Sequence, residues 1–265
     1  MSRERKQSIE DTLRFPQCRT QLLPTAPMPL MNTKTIRSPF RLLLLTLLFA
    51  APLLGELHAA LPTREDYVRR VETCEAILQE FMTSPDYGIP REVLRHAKGI
   101  IIVNQFSAGF LLGVKDGWGV IMVRRTDGTW SVPALLTAGE GSLGLQVGAS
   151  ANETIFILND ESTPRLLFKG RFHIGADAKA VGGPKTAANE YTLADAVAQP
   201  ILVYSKNRGL YAGAAFKAGH LSSNDKANRV LYATQHSLPE ILYSNWITVP
   251  DEVRPLMNYV SSLAQ

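Results

Sequence analysis

The stretch AGEGSLGLQVG, Ala138 to Gly148, holds Gly139, Gly141 and Gly144 in the G-x-G-x-x-G spacing of a dinucleotide-binding turn, with Asp160 downstream where that motif places its ribose-binding acid. Such a turn must join a strand to a helix, so that the pyrophosphate meets the helix N-terminus. Here the third glycine is followed by LQVGASANETIFIL, which Gly148 interrupts and which is rich in β-branched residues. No helix is expected there. The glycines are expected to bend paired strands instead, and the sheet to be antiparallel.

The rest of the chain agrees with that reading. Strand-type runs recur at Ile100 to Phe106, Gly109 to Val114, Trp118 to Arg125, Leu143 to Ser150 and Thr154 to Asn159. Turn signals stand at Lys115-Asp116-Gly117 and at Thr126-Asp127-Gly128, the second a hairpin candidate. Further strands are expected at Arg171 to Asp177, Pro200 to Lys206 and Gly209 to Lys217, and helices at Arg91 to Ala97, Glu161 to Lys169, Ser223 to Gln235 and Asp251 to Ala264. In LPTREDYVRRVETCEAILQEFM, Leu61 to Met82, Tyr67, Val71, Cys74, Leu78 and Phe81 fall at helical spacing, and Thr63 with Asp66 suits a capping box. The apolar stripe of this helix either docks on the domain or enters a membrane surface. Strands in runs with helices at the ends define an α+β fold, a curved antiparallel sheet or barrel-like β core with an N-terminal amphipathic helix and C-terminal helices.

Charge is unevenly placed. Of 28 basic and 24 acidic residues, eight and four precede Leu61, so 20 of each remain and the net charge from Leu61 onward is zero. That balance gives no basic face of the kind nucleic-acid binding needs. The early basic excess has another source. MNTKTIRSPFRLLLLTLLFAAPLLGELHAA, Met31 to Ala60, has a basic start (Lys34, Arg37, Arg41), an apolar run from Leu42 to Leu54 and small residues at its end. This is the layout of a signal peptide, with cleavage expected after Ala59 or Ala60 and a periplasmic or extracellular product. The run is shorter than the roughly 20 residues that span a bilayer. Translation is then expected to start at Met31 or Met28, with residues 1–30 an upstream extension; the alternative is a disordered tail ahead of an uncleaved anchor. Residues 61–265 form a single domain on this reading.

Catalytic signals are sparse. The histidines after Leu61 (His96, His173, His220, His236) show no metal-ligand spacing, and Cys74 has no cysteine partner beyond Cys18 in the leader. Ser142 lacks the first glycine of a nucleophile elbow, because Glu140 stands there, and Ser107 fails in the same way at Gln105. Glu140 and Asp160 would act as a carboxylate pair only if folding joined them. No cofactor is expected, and no enzymatic activity.

Several clusters, IPREVLRHAKGIIIV, GWGVIMVRRTDGTWSVPALL, GSLGLQVGA, GGPK, YSKNRGLYAGAAFKAGHL and NRVLYA, occur in the order and spacing of one family. From about Ile89 to Ala233 the chain resembles the SYLF domain, a lipid-binding module related to yeast actin-patch proteins; W-S-x-P at Trp130, G-x-Q-x-G at Gly144 and Y-S-x-x-x-G-L-Y-A-G at Tyr204 carry the likeness jointly. The resemblance implies binding rather than catalysis. Eukaryotic members are associated with phosphoinositide-containing membranes, and the yeast relatives bind actin. An exported chain meets neither actin nor, in bacteria, phosphoinositides as a usual lipid, so a phospholipid surface, anionic or not, is the partner expected to transfer. The candidate lipid contacts are Arg64, Arg69 and Arg70 on the first helix, Arg124 and Arg125 before the Asp-Gly turn, and Lys206 with Arg208. The other reading is a protein-interaction or scaffolding module without lipid contact. Trp118, Trp130, Tyr204 and Tyr211 are expected to pack the sheet, and Gly117, Gly119, Gly144, Gly148 and Gly213 to permit its curvature.

Overall fold

Runs of β-branched residues bounded by small ones pair here into one sheet. The computed structural model describes residues 61–110, 112–140, 147–183, 192–206 and 219–265. Among these, helix α1 (Arg64–Thr83) and the short α2 (Arg91–His96) precede β1 (Gly99–Phe110), β2 (Leu112–Val123), β3 (Ala134–Glu140) and β4 (Val147–Leu158). Next come α3 (Thr163–Leu166) with a 3-10 turn (Leu167–Lys169), β5 (Ala180–Gly182), α4 (Leu193–Val197), β6 (Ile201–Ser205) and β7 (Gly219–Ser223). The chain closes with α5 (Asp225–Tyr232), α6 (Leu238–Tyr243), a 3-10 turn (Asp251–Val253) and α7 (Arg254–Leu263).

The sheet order is β5-β6-β4-β1-β2-β3-β7, and every pair is antiparallel except β5 with β6. Its curvature follows from chain reach. Phe172 bridges Leu221 beyond the β7 edge, whereas Ala180 pairs with Ile201 at the opposite edge. Laid flat, those edges would stand about 33 Å apart, seven strand spacings. Eight residue steps reach at most about 29 Å when fully extended. These steps also contain a turn, in which the Ala176 and Asp177 amides donate to the His173 carbonyl at 3.1 and 2.8 Å. The sheet must therefore be curved, with its two edges left open.

Two glycines of β2 show how the curl is built. A Cβ on Gly117 would stand 2.9 Å from both the Asn104 carbonyl oxygen and the Gln105 Cα; one on Gly119 would overlap the Ile102 carbonyl oxygen and reach 3.1 Å from the Val103 Cα. On the face these glycines share, the β1 backbone comes so close that only hydrogen fits. In the ladder, that face also carries Ile101, Ile121, Leu136 and Phe156, all fully buried. The opposite face carries Ile102, Val120 and Leu135, also buried, so the sheet centre is covered on both faces.

Helix α1 begins at the expected capping box: the Asp66 carboxylate accepts from the Thr63 amide at 2.7 Å, and the Thr63 hydroxyl accepts from the Asp66 amide at 3.4 Å. Its stripe lies against β1 and β2 on one side and against α5 and α7 on another. Cys74, Leu78 and Phe81 are 0% exposed and Val71 is 1% exposed. Docking on the domain is thus the observed fate of this face, and α1 is part of the core.

Several expected boundaries move. Lys115-Asp116-Gly117 is no turn but lies inside β2, whose ladder with β1 runs on to the pair Phe110 and Leu112. Val147 to Ser150 of one expected run and Thr154 to Leu158 of the next belong to a single strand, β4, with residues 143–146 outside the described residues, and Arg171 to Asp177 forms isolated bridges around a turn rather than a strand. Strands β3, β5 and β7 and helices α4 and α6 are additional. The Thr126-Asp127-Gly128 hairpin forms as expected, with Gly128 at φ +84° and its amide donating to the Arg125 carbonyl at 2.9 Å. The expected strand at Gly209 to Lys217 lies outside the described residues.

Candidate functional site

The glycine stretch is the first candidate, and its backbone decides it. Gly139 sits in β3, paired to Asp116 of β2 and His220 of β7, both antiparallel. Strand β4 begins at Val147, three residues after Gly144. The described chain on both sides of the glycines is thus antiparallel strand, not the strand-to-helix turn that a pyrophosphate needs. Gly141 and Gly144 lie outside the described residues.

The carboxylate pair fails on distance. Glu140 pairs with Lys115 at one end of β2, whereas Leu158, just before Asp160, aligns through Gly99 with Val123 at the other. Eight residues of strand separate those ends, about 26 Å, several times the spacing of a hydrolytic pair. Asp160 instead starts α3, where its Oδ1 accepts from the Ser162 and Thr163 amides at 2.8 and 2.7 Å. Partial burial works against its charge, but the hydrogen bonds from Ser162 and Thr163 prevail and hold its pKa below the ordinary range. Among the described residues, no group of three or more His, Cys, Asp or Glu side chains could hold a metal ion.

The seven cationic candidates fall in separate places, and the structure gives those described internal partners. Arg64 meets Glu252, before α7, at 2.8 Å, and this contact lowers the Glu252 pKa to about 2. Arg69 pairs with Asp66. The Arg70 guanidinium lies 5.3 Å from the Tyr67 ring centre and 5.7 Å from that of Trp118, joining α1 to β2 by cation–π contact. Arg124 donates to the Arg95 carbonyl at 2.9 Å at the end of α2. Arg125 donates to the Leu242 and Ser244 carbonyls at 3.1 and 2.6 Å, capping α6. Both arginines thus satisfy carbonyls that a helix end leaves open. Lys206 sits between Glu80 of α1 at 2.7 Å and Glu153 of β4 at 3.2 Å, and its bond to Glu80 raises its pKa while lowering that of Glu80. Arg208 lies outside the described residues.

Arg64 and Glu80 stand sixteen residues apart on α1, about 24 Å, so the pairs at the two ends of the helix do not form one patch. A lipid phosphate at either end would compete with a carboxylate already in place. The buried stripe removes the other route. Withdrawing Val71, Cys74, Ile77, Leu78 and Phe81 from the core would cost on the order of 10 kcal/mol. Insertion of α1 into a membrane is therefore not supported by the fold.

Two arrangements were invisible in the sequence. His173 and His220, read as isolated, approach to 5.9 Å between ring centres across the β7 edge, and Asp177 accepts from the His173 amide at 2.7 Å. Burial, with Arg171 and His173 nearby, lowers the His220 pKa. Tyr204 is 3% exposed, with its ring against Gly183, where any Cβ would overlap it. Burial raises the pKa of its hydroxyl. Together with the buried Trp130 and the close-packed Gly117 and Gly119, these contacts make the motif residues builders of the fold. Tyr211, Gly144 and Gly213 lie outside the described residues.

The geometry defines a class: an α+β module whose sheet curls around an apolar interior and whose flanking helices are locked down by caps and ion pairs. The comparisons show what the chain resembles. Residues 139–263 match the Ysc84 family model, described as "Las17-binding protein actin regulator", and over that segment the chain is similar to that family. The match begins in β3 and runs through α7, further toward the C-terminus than the motifs alone indicate. Protein YSC84 of Saccharomyces cerevisiae is 33% identical over 183 residues, covering 68% of this chain and 39% of the relative. LAS seventeen-binding protein 3 of the same species gives the same identity and coverage. SH3 domain-containing YSC84-like protein 1 of Bos taurus is 30% identical over 196 residues, covering 71% of this chain and 57% of the relative. The chain thus spans between two fifths and three fifths of the length of these curated relatives.

Proposed function

We propose that this protein is an exported, non-enzymatic module that associates with phospholipid surfaces through the exterior of its folded domain. The observation that carries the reading is the Ysc84-type segment at residues 139–263, since the SYLF resemblance implies lipid contact. Export rests on the basic start, the apolar run from Leu42 to Leu54 and the small residues at Ala59 and Ala60. Among the described residues no helix is long and apolar enough to cross a membrane.

Sedimentation of the chain beginning at Leu61 with vesicles of phosphatidylglycerol, and separately of phosphatidylcholine, tests the reading. Binding to the anionic vesicles is expected, weakening as salt shortens the Debye length from about 10 Å at 0.1 M to about 3 Å at 1 M. Failure of the folded chain to sediment with either vesicle would overturn it. The protein-interaction reading, favoured by the Las17-binding description of the family model, would then take its place.

A further inference from the structure

Among the described residues, five large hydrophobic side chains stand exposed: Leu61, Leu193, Val230, Tyr243 and Trp246. Two of them are three residues apart, at the end of α6 and just beyond it. Trp246 is 67% exposed, although the next residue, Ile247, is buried. The chain places an isoleucine in the core and leaves the larger indole outside.

The backbone under this indole is fixed. The Arg125 guanidinium holds the Leu242 and Ser244 carbonyls, the Ser244 hydroxyl donates to the Glu240 carbonyl at 2.6 Å, and the Trp246 amide donates to the Ser244 hydroxyl at 3.4 Å. His236 lies 5.9 Å from the indole between ring centres. Tyr243 packs edge-on against Phe168 at 6.0 Å. Burial pushes the Tyr243 hydroxyl pKa up, and the neighbouring Arg165 guanidinium works against that rise. Arg165 and Lys169, on either side of Phe168, are exposed and make no ion pair with a carboxylate among the described residues. Of the nearby acids, Glu240 is engaged by the Ser237 amide and hydroxyl at the start of α6, which leaves Glu161 as the exposed one.

An indole and a phenol beside exposed cations that no described carboxylate pairs have the chemistry of a membrane interface. Their apolar bodies suit the boundary of the acyl chains, while N–H, O–H and cationic groups meet phosphate and water. We propose that Trp246 and Tyr243, flanked by Arg165 and Lys169, form the face that this protein sets on an anionic phospholipid bilayer. The inference rests on the lipid-surface reading above and names its anchor. It also gives Arg125 a positioning role beneath that anchor.

Tryptophan emission of the full chain, with vesicles of equimolar acyl-brominated phosphatidylcholine and phosphatidylglycerol, tests the proposal. The other tryptophans, Trp118 and Trp130, are half-buried and buried. Bromine is expected to quench the natural chain and to lose most of that effect in Trp246→Phe; Trp246→Ala is expected to weaken vesicle binding about tenfold. The variants should keep the natural melting temperature, since the side chain packs little. Sedimentation without quenching, or equal quenching in Trp246→Phe, would overturn the anchor while leaving lipid binding intact, and would free the patch for a protein partner. Absence of sedimentation would overturn both.

Discussion

Gly119→Val is expected to lower the melting temperature of the domain by roughly 10 °C, from a loss of about 3 kcal/mol or more. The reason is local and severe. A side chain at this point in β2 would occupy the space of the Ile102 carbonyl oxygen, and backbone cannot yield as a flexible side chain can. To make room, β1 and β2 would have to separate at this close approach, disturbing the buried Val103 and Val120 beside it. Gly182→Ala is the control. Among the described residues nothing stands within 4 Å of a Cβ there, so stability should stay within about 0.5 kcal/mol. Thermal unfolding of both variants checks the pair, and equal effects would mean that glycine content rather than close approach is being measured.

Phe81→Ala is expected to cost about 3–5 kcal/mol, the range for emptying a packed aromatic site. Phe81 is fully buried, meets Tyr87 edge-on at 4.9 Å, and its carbonyl accepts the Ile89 amide at 3.2 Å where the chain turns toward α2. If α1 were a detachable membrane anchor, this change would leave the stability of the domain nearly untouched and reduce only lipid affinity. The fold predicts the reverse: a large fall in denaturant midpoint, with vesicle binding per folded molecule preserved. Arg69→Ala, on the exposed side of the same helix, should alter stability by no more than about 0.5 kcal/mol.

What could be read from the sequence was what is decided locally. The capping box at Thr63 and Asp66, the stripe of α1 and the hairpin at Asp127-Gly128 depend on residues a few positions apart, and each formed as expected. Lys115-Asp116-Gly117 misled because its glycine answers to curvature rather than to a turn; the neighbour that demands it is Gln105 on another strand. Strand β3 stayed hidden because Ala134, Leu135 and Leu136 are buried on both faces and show no alternation. Strands β5 and β7 have three and five residues, too few for a period to emerge.

The candidate site divides in the same way. Its cations were visible as letters, but their partners were not. Lys206 meets Glu80 across 126 positions, and Arg64 meets Glu252 across 188. Only the pairing of β6 with β4, the packing of α1 on the sheet and the return of α7 onto α1 bring these together, and all are tertiary events. The exposure of Trp246 has the same origin, since nothing in SNWITVP tells which of Trp246 and Ile247 the core will take.

The most direct test of the account is alkylation of Cys74 in the full chain, followed by peptide mapping, with and without phosphatidylglycerol vesicles. Cys74 is fully buried against the sheet, and that burial raises its thiol pKa, so both access and thiolate are denied to the reagent. If the domain meets lipid with its exterior, Cys74 stays unmodified when vesicles are added. Modification in their presence, at the rate seen in denatured protein, would mean that the first helix leaves the core to enter the bilayer.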